Sequence, residues 1–397
     1  MKVSNYTRSA LIFFGLTVAF QLITVVVVDL KRPYWGDEEH FVDTINQFGE
    51  DLSLNRLRHY EEMSTPLPFV FYSLWGRLVG FEIERLRILS LLIAMATYLL
   101  FHRLLYEATG RTIGSIVTAM FLVVHPYMVG FSIFVFTDML PIFFLLSSVY
   151  AFTRERPFLL TLSLAGALLS RQYFAFLAAA LFAVYFLRYI DLKRRADLNM
   201  IIATLVGLAP VIGLFIFWGS TSPDNTLREL YVKYAFTFHP SFLTLYICQS
   251  FLFLLPLVVY RYRTLYSNYG ILFLSAAFCW LYFLAPVGPA PPSIDVNILT
   301  VGLFHKTLGY LVGNSTIENF VFFTLFLMGL PVILYLSNDT LKKIWSRKHD
   351  LQFLLNLIVL AFLVVMPFSY LSWEKYFMPL VPILTLRLML LEHKTVT

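Results

Sequence analysis

Long apolar runs alternate with short polar links along this chain. Twelve such runs, at 10–30, 86–106, 112–130, 135–153, 157–170, 172–190, 199–219, 241–260, 269–287, 318–337, 352–370 and 375–392, hold very little charge. Most approach the roughly 20 residues a helix needs to cross the hydrocarbon core, so each predicts a helical span. A membrane β-barrel would show short alternating segments instead. The run 157–170 is short for a full crossing, and Ser170-Arg171-Gln172 divides it from the next. Interrupted spans of this kind line cavities, where freed backbone can be hydrated or paired.

Between residues 31 and 85 the periodicity changes. Phe41, Ile45 and Phe48 recur at helical spacing with Glu39, Asp43, Asn46, Gln47 and Glu50 opposite, which predicts an amphipathic helix in the membrane interface. A second interfacial helix is predicted from Ser64-Thr65-Pro66-Leu67-Pro68 onward, with Ser64 or Thr65 as cap and Pro66 in the first turn.

Composition agrees with the pattern: 59% of the residues are hydrophobic and 14% charged, against about 25% charged in a soluble domain. The predicted fold class is therefore an all-α polytopic membrane protein of about 12 spans, one integral domain over 1–397. Cys248 and Cys279 both sit in apolar runs and give neither a disulfide framework nor a zinc spacing. The net charge of +6 is accounted for by basic cytoplasmic links rather than by nucleic acid. With the N-terminus inside, short cytoplasmic segments hold 18 of the 30 lysines and arginines, Lys2, Arg387 and Lys394 among them, and both termini are predicted inside. The first run is long and lacks a small-residue cleavage site, so it reads as a span and not a signal peptide. The outer face then carries 31–85, 219–240 and 288–317, and the chemistry is expected there.

Asp37, in Tyr34-Trp35-Gly36-Asp37-Glu38-Glu39-His40-Phe41, stands where the first span ends and the amphipathic helix begins. It reads either as an N-cap or as a general base at the membrane surface. Glu38 and Glu39 are solvated loop acids, or bind an acceptor, a metal or an arginine. Asp138 opens an apolar run, where an acid is costly and points to function, or else is a helix-start acid. Arg171 lies in a nearly uncharged double span and either pairs with an acid such as Asp138 or grips a phosphate through its planar fork. Lys375 snorkels among aromatics at the last span or contacts phosphate. His305 and Lys306 in the third outer loop are a further candidate pair.

Taken together, these patches resemble the multispanning GT-C glycosyltransferases that use a polyprenyl-phosphate sugar, and most of all the dolichyl-phosphate-glucose α-1,2-glucosyltransferase family. Gly36-Asp37-Glu38 stands for the family's Met-Asp-Glu motif, whose histidine is here His40, one place early. Ser64-Thr65-Pro66-Leu67-Pro68 stands for its Thr-Pro-Pro-rich helix start, Phe136-Thr137-Asp138 for Tyr-Thr-Asp, Arg171-Gln172 for Arg-Gln, and Lys375-Tyr376-Phe377-Met378-Pro379 for Arg-Tyr-Phe and a proline.

The resemblance implies an inverting hexosyltransferase with Asp37 as base. It makes Glu38, His40 and Asp138 acceptor-binding or supporting residues, and Arg171, Lys375, His305 and Lys306 donor-phosphate contacts. The implied partners are a polyprenyl- or dolichyl-phosphate sugar, a lipid-linked glycan acceptor and membrane lipids. No metal or other cofactor is implied, although adjacent acids could hold Mg²⁺ or Mn²⁺ through oxygen. The membrane would be the endoplasmic reticulum in a eukaryote and the plasma membrane in a prokaryote. Alternatives are a GT-C transferase of mannose or arabinose, or a lipid or sugar transporter, which would show repeated halves and midplane charges.

Overall fold

Inside hydrocarbon every backbone N–H and C=O must be satisfied within the protein, and helices do this residue by residue. The computed structural model accordingly contains helices and no strand among the described residues, which are 5–226, 228–234, 236–295 and 297–391. Lys2 and Lys394 of the charge count, and Glu392 at the end of the twelfth predicted run, lie outside them. Among the described residues six helices are long and apolar enough to cross a membrane: Asn5–Val28, Ile83–Thr109, Gln172–Leu192, Arg195–Trp218, Ser315–Trp345 and Leu351–Phe368. The chain is a polytopic helical membrane protein.

It divides into two units, Met1–Ala178 with Arg195–Glu229, and Ala179–Arg194 with Leu230–Thr397. The first contains α1 (Asn5–Val28), α2 (Glu38–Glu50), α3 (Leu54–Arg58), α4 (Leu67–Val79), α5 (Ile83–Thr109), α6 (Thr112–Val123), α7 (Pro126–Ile133), α8 (Met139–Arg154) and α9 (Pro157–Ser170). A 3₁₀ turn, Gln172–Phe174, leads into α10 (Ala175–Leu192), and α11 (Arg195–Trp218) returns to this unit. Helix α9 packs on α8 and α11, and α5 packs on α1, α6, α7 and α8.

Several predicted runs turn out to be broken. The run 112–130 is two helices, α6 and α7, meeting at 71°, because Pro126 cannot donate a helical hydrogen bond and starts a new helix. The run 135–153 begins as a helix only at Met139, after Asp138. The break expected at Ser170–Gln172 is present, with Arg171 extended at φ −153°.

Both helices predicted between residues 31 and 85 are found, as α2 and α4, with the single-turn α3 between them. Phe41, Ile45 and Phe48 are buried, but α2 packs on α4, and Phe41 and Phe69 lie 6.0 Å apart. The apolar stripe of α2 is thus covered by protein. The expected cap of α4 is not formed: Pro66 is the N-cap residue, and Thr65 Oγ1 donates to the Leu168 carbonyl at 2.9 Å instead.

In the second unit the chain runs through α12 (Arg228–Tyr234), α13 (Pro240–Leu252), α14 (Leu255–Tyr260), α15 (Tyr262–Leu265), α16 (Tyr269–Phe278), α17 (Leu281–Leu284), α18 (Pro291–Asp295), α19 (Leu303–Val312), α20 (Ser315–Trp345), α21 (Leu351–Val365) and α22 (Leu380–Met389). The runs 241–260, 269–287 and 375–392 are each interrupted here. Arg387, counted with the inner links, is buried in α22. Its Nε donates to Asn356 Oδ1 and its Nη2 to Asp339 Oδ2, both at 2.7 Å, which offsets the cost of a charge among apolar helices.

Helices α13 and α20 approach at Gly329, where a Cβ would stand 2.1 Å from the Ile247 carbonyl oxygen. Gly329→Ala must push backbone apart and is expected to destabilise the protein by about 1–3 kcal/mol. Gly213→Ala, in α11 with nothing within 4 Å, is the control. Thermal unfolding in detergent should lower the melting temperature for the first and not the second.

Candidate functional site

The segment joining α1 to α2 has no regular structure, so its carbonyls need partners from elsewhere. Asp29 and Gly36 both take φ of +60°. At Gly36 the absent Cβ avoids a strain of about 1–2 kcal/mol and lets the chain turn sharply into α2. Asp37 then falls at the N-cap position, half-buried. Its side chain makes no capping hydrogen bond, so of the two readings of this acid the cap is not the one formed.

Glu38 is fully buried against Arg87, which is also fully buried in the first turns of α5. Arg87 Nε donates to Glu38 Oε1 at 2.9 Å and Nη2 to Oε2 at 2.6 Å, a fork on a carboxylate. Two backbone amides complete the acid: Val135 donates to Oε1 at 2.9 Å and Trp35 to Oε2 at 3.1 Å. Arg87 also donates from Nη1 to the carbonyls of Leu30 and Arg32, both at 2.8 Å, and from Nη2 to that of Pro33 at 3.3 Å. The acid expected near an acceptor is therefore a support, fully engaged by an arginine and the backbone.

His40 is exposed, and its Nδ1 lies 2.5 Å from Oε1 of the buried Glu62. Beside that acid, the buried Tyr60 hydroxyl donates to the Ser64 carbonyl at 2.7 Å. Burial, and next the charge of Glu62, push the Tyr60 phenol well above its ordinary pKa, so it stays a proton donor.

Asp138 is buried at the N-cap of α8 without capping it. Its Oδ1 accepts from Arg171 Nη2 at 3.3 Å, while the buried Oδ2 makes no hydrogen bond among the described residues. The same Arg171 nitrogen donates to Thr137 Oγ1. Gln172 Nε2 then donates to the Met63 carbonyl at 2.6 Å.

These contacts form a closed circuit within the first unit. Glu38 ties to Val135, Thr137 and Asp138 to Arg171, Gln172 to Met63, and Glu62 back to His40. The sequence-predicted Asp37, Glu38, His40, Asp138 and Arg171 all lie on the segments so joined. Arg87 and Glu62 were missed. An arginine inside the run 86–106 was the available signal for the first; nothing local marks Glu62.

The remaining predicted residues belong to the second unit. His305 Nδ1 accepts from the Val301 amide at 3.2 Å, so Nε2 carries the proton and donates to Glu318 Oε1 at 2.5 Å. Glu374, buried, accepts from the amides of Phe304 and His305 at 2.9 and 2.8 Å, taking the place of a cap for α19. Lys306 is exposed, and Lys375 Nζ lies 6.0 Å from the centre of the Tyr376 ring. No three His, Cys, Asp or Glu side chains group as metal ligands among the described residues.

No family model and no curated protein matches the chain. Among solved structures, two of ArnT from Cupriavidus metallidurans are similar. The apo state has a TM-score of 0.42 and 11% identity over 95% of this chain and 76% of that one. The state bound to undecaprenyl phosphate has a TM-score of 0.41 and 13% identity over 95% and 76%.

Proposed function

We propose that the protein is an inverting glycosyltransferase that moves a hexose from a polyprenyl phosphate to a hydroxyl of a lipid-linked glycan on the extracytoplasmic side. The observation that carries the reading is the circuit linking the half-buried Asp37 turn to the Arg171–Asp138 pair. It supplies a carboxylate and a guanidinium on segments that brace one another. The resemblance of the motifs to the dolichyl-phosphate-glucose family favours glucose, with mannose and arabinose as the competing sugars.

In this mechanism Asp37 takes the proton of the acceptor hydroxyl as its oxygen bonds to the anomeric carbon. The bond from that carbon to the phosphate oxygen breaks, and its electron pair leaves with the polyprenyl phosphate. A phosphate leaving group needs positive charge more than a proton, and Arg171 is assigned that role. Asp138 and Thr137 orient its guanidinium.

Purified protein incubated with polyprenyl-phosphate glucose, mannose and arabinose, each with a lipid-linked glycan, is expected to transfer sugar, with glucose fastest. No transfer from any donor would refute the proposal. Arg171→Lys keeps a charge but loses the planar fork. It is expected to raise the donor KM by about 10-fold or more, the worth of a charge-assisted hydrogen bond, and an unchanged KM would remove Arg171 from the phosphate.

A further inference from the structure

The Arg87–Glu38 pair is saturated in both directions. A guanidinium has five N–H groups in a fixed plane, and here they meet five acceptors: two oxygens of Glu38 and the carbonyls of Leu30, Arg32 and Pro33. An ionised carboxylate has about four acceptor sites, and those of Glu38 take two Arg87 nitrogens and the amides of Trp35 and Val135. The Phe134 ring lies against the guanidinium, 5.4 Å from Cζ to centroid. Three stretches far apart in sequence thus meet on one ion pair: the irregular segment ending at Asp37, the start of α5, and the segment leading to Thr137 and Asp138.

We infer that Arg87 and Glu38 are positioning residues, a buried clamp that sets the spacing between the turn bearing Asp37 and the segment that orients Arg171. The catalytic part of this inference rests on the transferase reading; the mechanical part does not. The bonds that satisfy the buried pair come from loop backbone, so the contacts that offset its burial also tie the two segments together. Neither segment, 30–37 nor 134–138, belongs to a helix, so without the clamp each would move.

The test uses the full-length protein in detergent, comparing Arg87→Lys with wild type by hydrogen–deuterium exchange and by transfer kinetics. Lysine has three donors for five acceptors. Peptides covering 30–40 and 130–138 are expected to exchange about 10-fold faster together, since one charge-assisted hydrogen bond is worth that much, while the rest of α5 stays protected. Turnover is expected to fall about 100-fold, as for a misplacement of about 1 Å, with the donor KM rising less than in Arg171→Lys because the Arg171 fork itself is retained.

If either peptide keeps its wild-type exchange, or turnover is unaffected, the clamp is refuted. A wild type that transfers no sugar refutes the transferase reading, and exchange in the two peptides still decides the clamp. Should Arg87→Lys not fold, Glu38→Gln keeps the size, removes the charge and turns one of the two acceptor oxygens into a donor among N–H groups; exchange no faster than wild type in both peptides then overturns the inference.

Discussion

Asp37→Asn is expected to lower sugar transfer by about two to four orders of magnitude, the range attributed to a positioned general base, and to leave the melting temperature unchanged. Asparagine keeps the size and shape of aspartate but does not accept a proton at neutral pH. A helix cap would survive the exchange, because asparagine caps about as well as aspartate, and in any case the Asp37 side chain makes no such bond. The substitution therefore separates chemistry from folding. Initial rates with the active donor and a thermal scan in detergent are the two measurements. Full activity in the variant would remove Asp37 from the reaction, and a large fall in melting temperature would mean that its role is structural.

Glu38→Leu is expected to be the most damaging single change to stability, by about 3–5 kcal/mol, the cost of leaving one member of a buried ion pair uncompensated. Leucine matches the side chain in bulk, so the loss is not that of a cavity. Arg87, with no exposed surface, would keep its charge and lose two of its five acceptors, while the amides of Trp35 and Val135 lose theirs. The double variant Glu38→Leu with Arg87→Met removes the stranded charge and is expected to recover part of the loss. Recovery stays partial because the carbonyls of Leu30, Arg32 and Pro33 then lack a donor. Denaturation of both proteins under the same detergent conditions gives the comparison; equal melting temperatures for Glu38→Leu and wild type would show that the pair adds no stability.

The spans were legible because hydrocarbon imposes a length and a composition that a single sequence displays. Breaks were legible only where a polar residue interrupts a run, as at Arg171. The 71° elbow between α6 and α7 lies inside an apolar stretch, and only Pro126 hinted at it. In the site, Asp37, Asp138 and Arg171 were found because charge beside apolar runs is costly, and the Arg171–Asp138 pairing was among the readings of the sequence. The partner of Glu38 was not, since it stands 49 residues away in the chain, and no local pattern encodes such a separation. The burial of α2 against α4 was hidden for a related reason: an amphipathic stripe looks the same whether lipid or protein covers it.

The bond from the Val135 amide to Glu38 also bears on the order of biosynthesis. Arg87 becomes available to Glu38 once α5 has been made, but the fourth donor arrives only after α6 and α7 have followed it out of the ribosome. The segment between α1 and α2 is therefore among the last parts of its neighbourhood to set, and a nascent chain halted short of residue 135 would hold a carboxylate still waiting for its final proton donor.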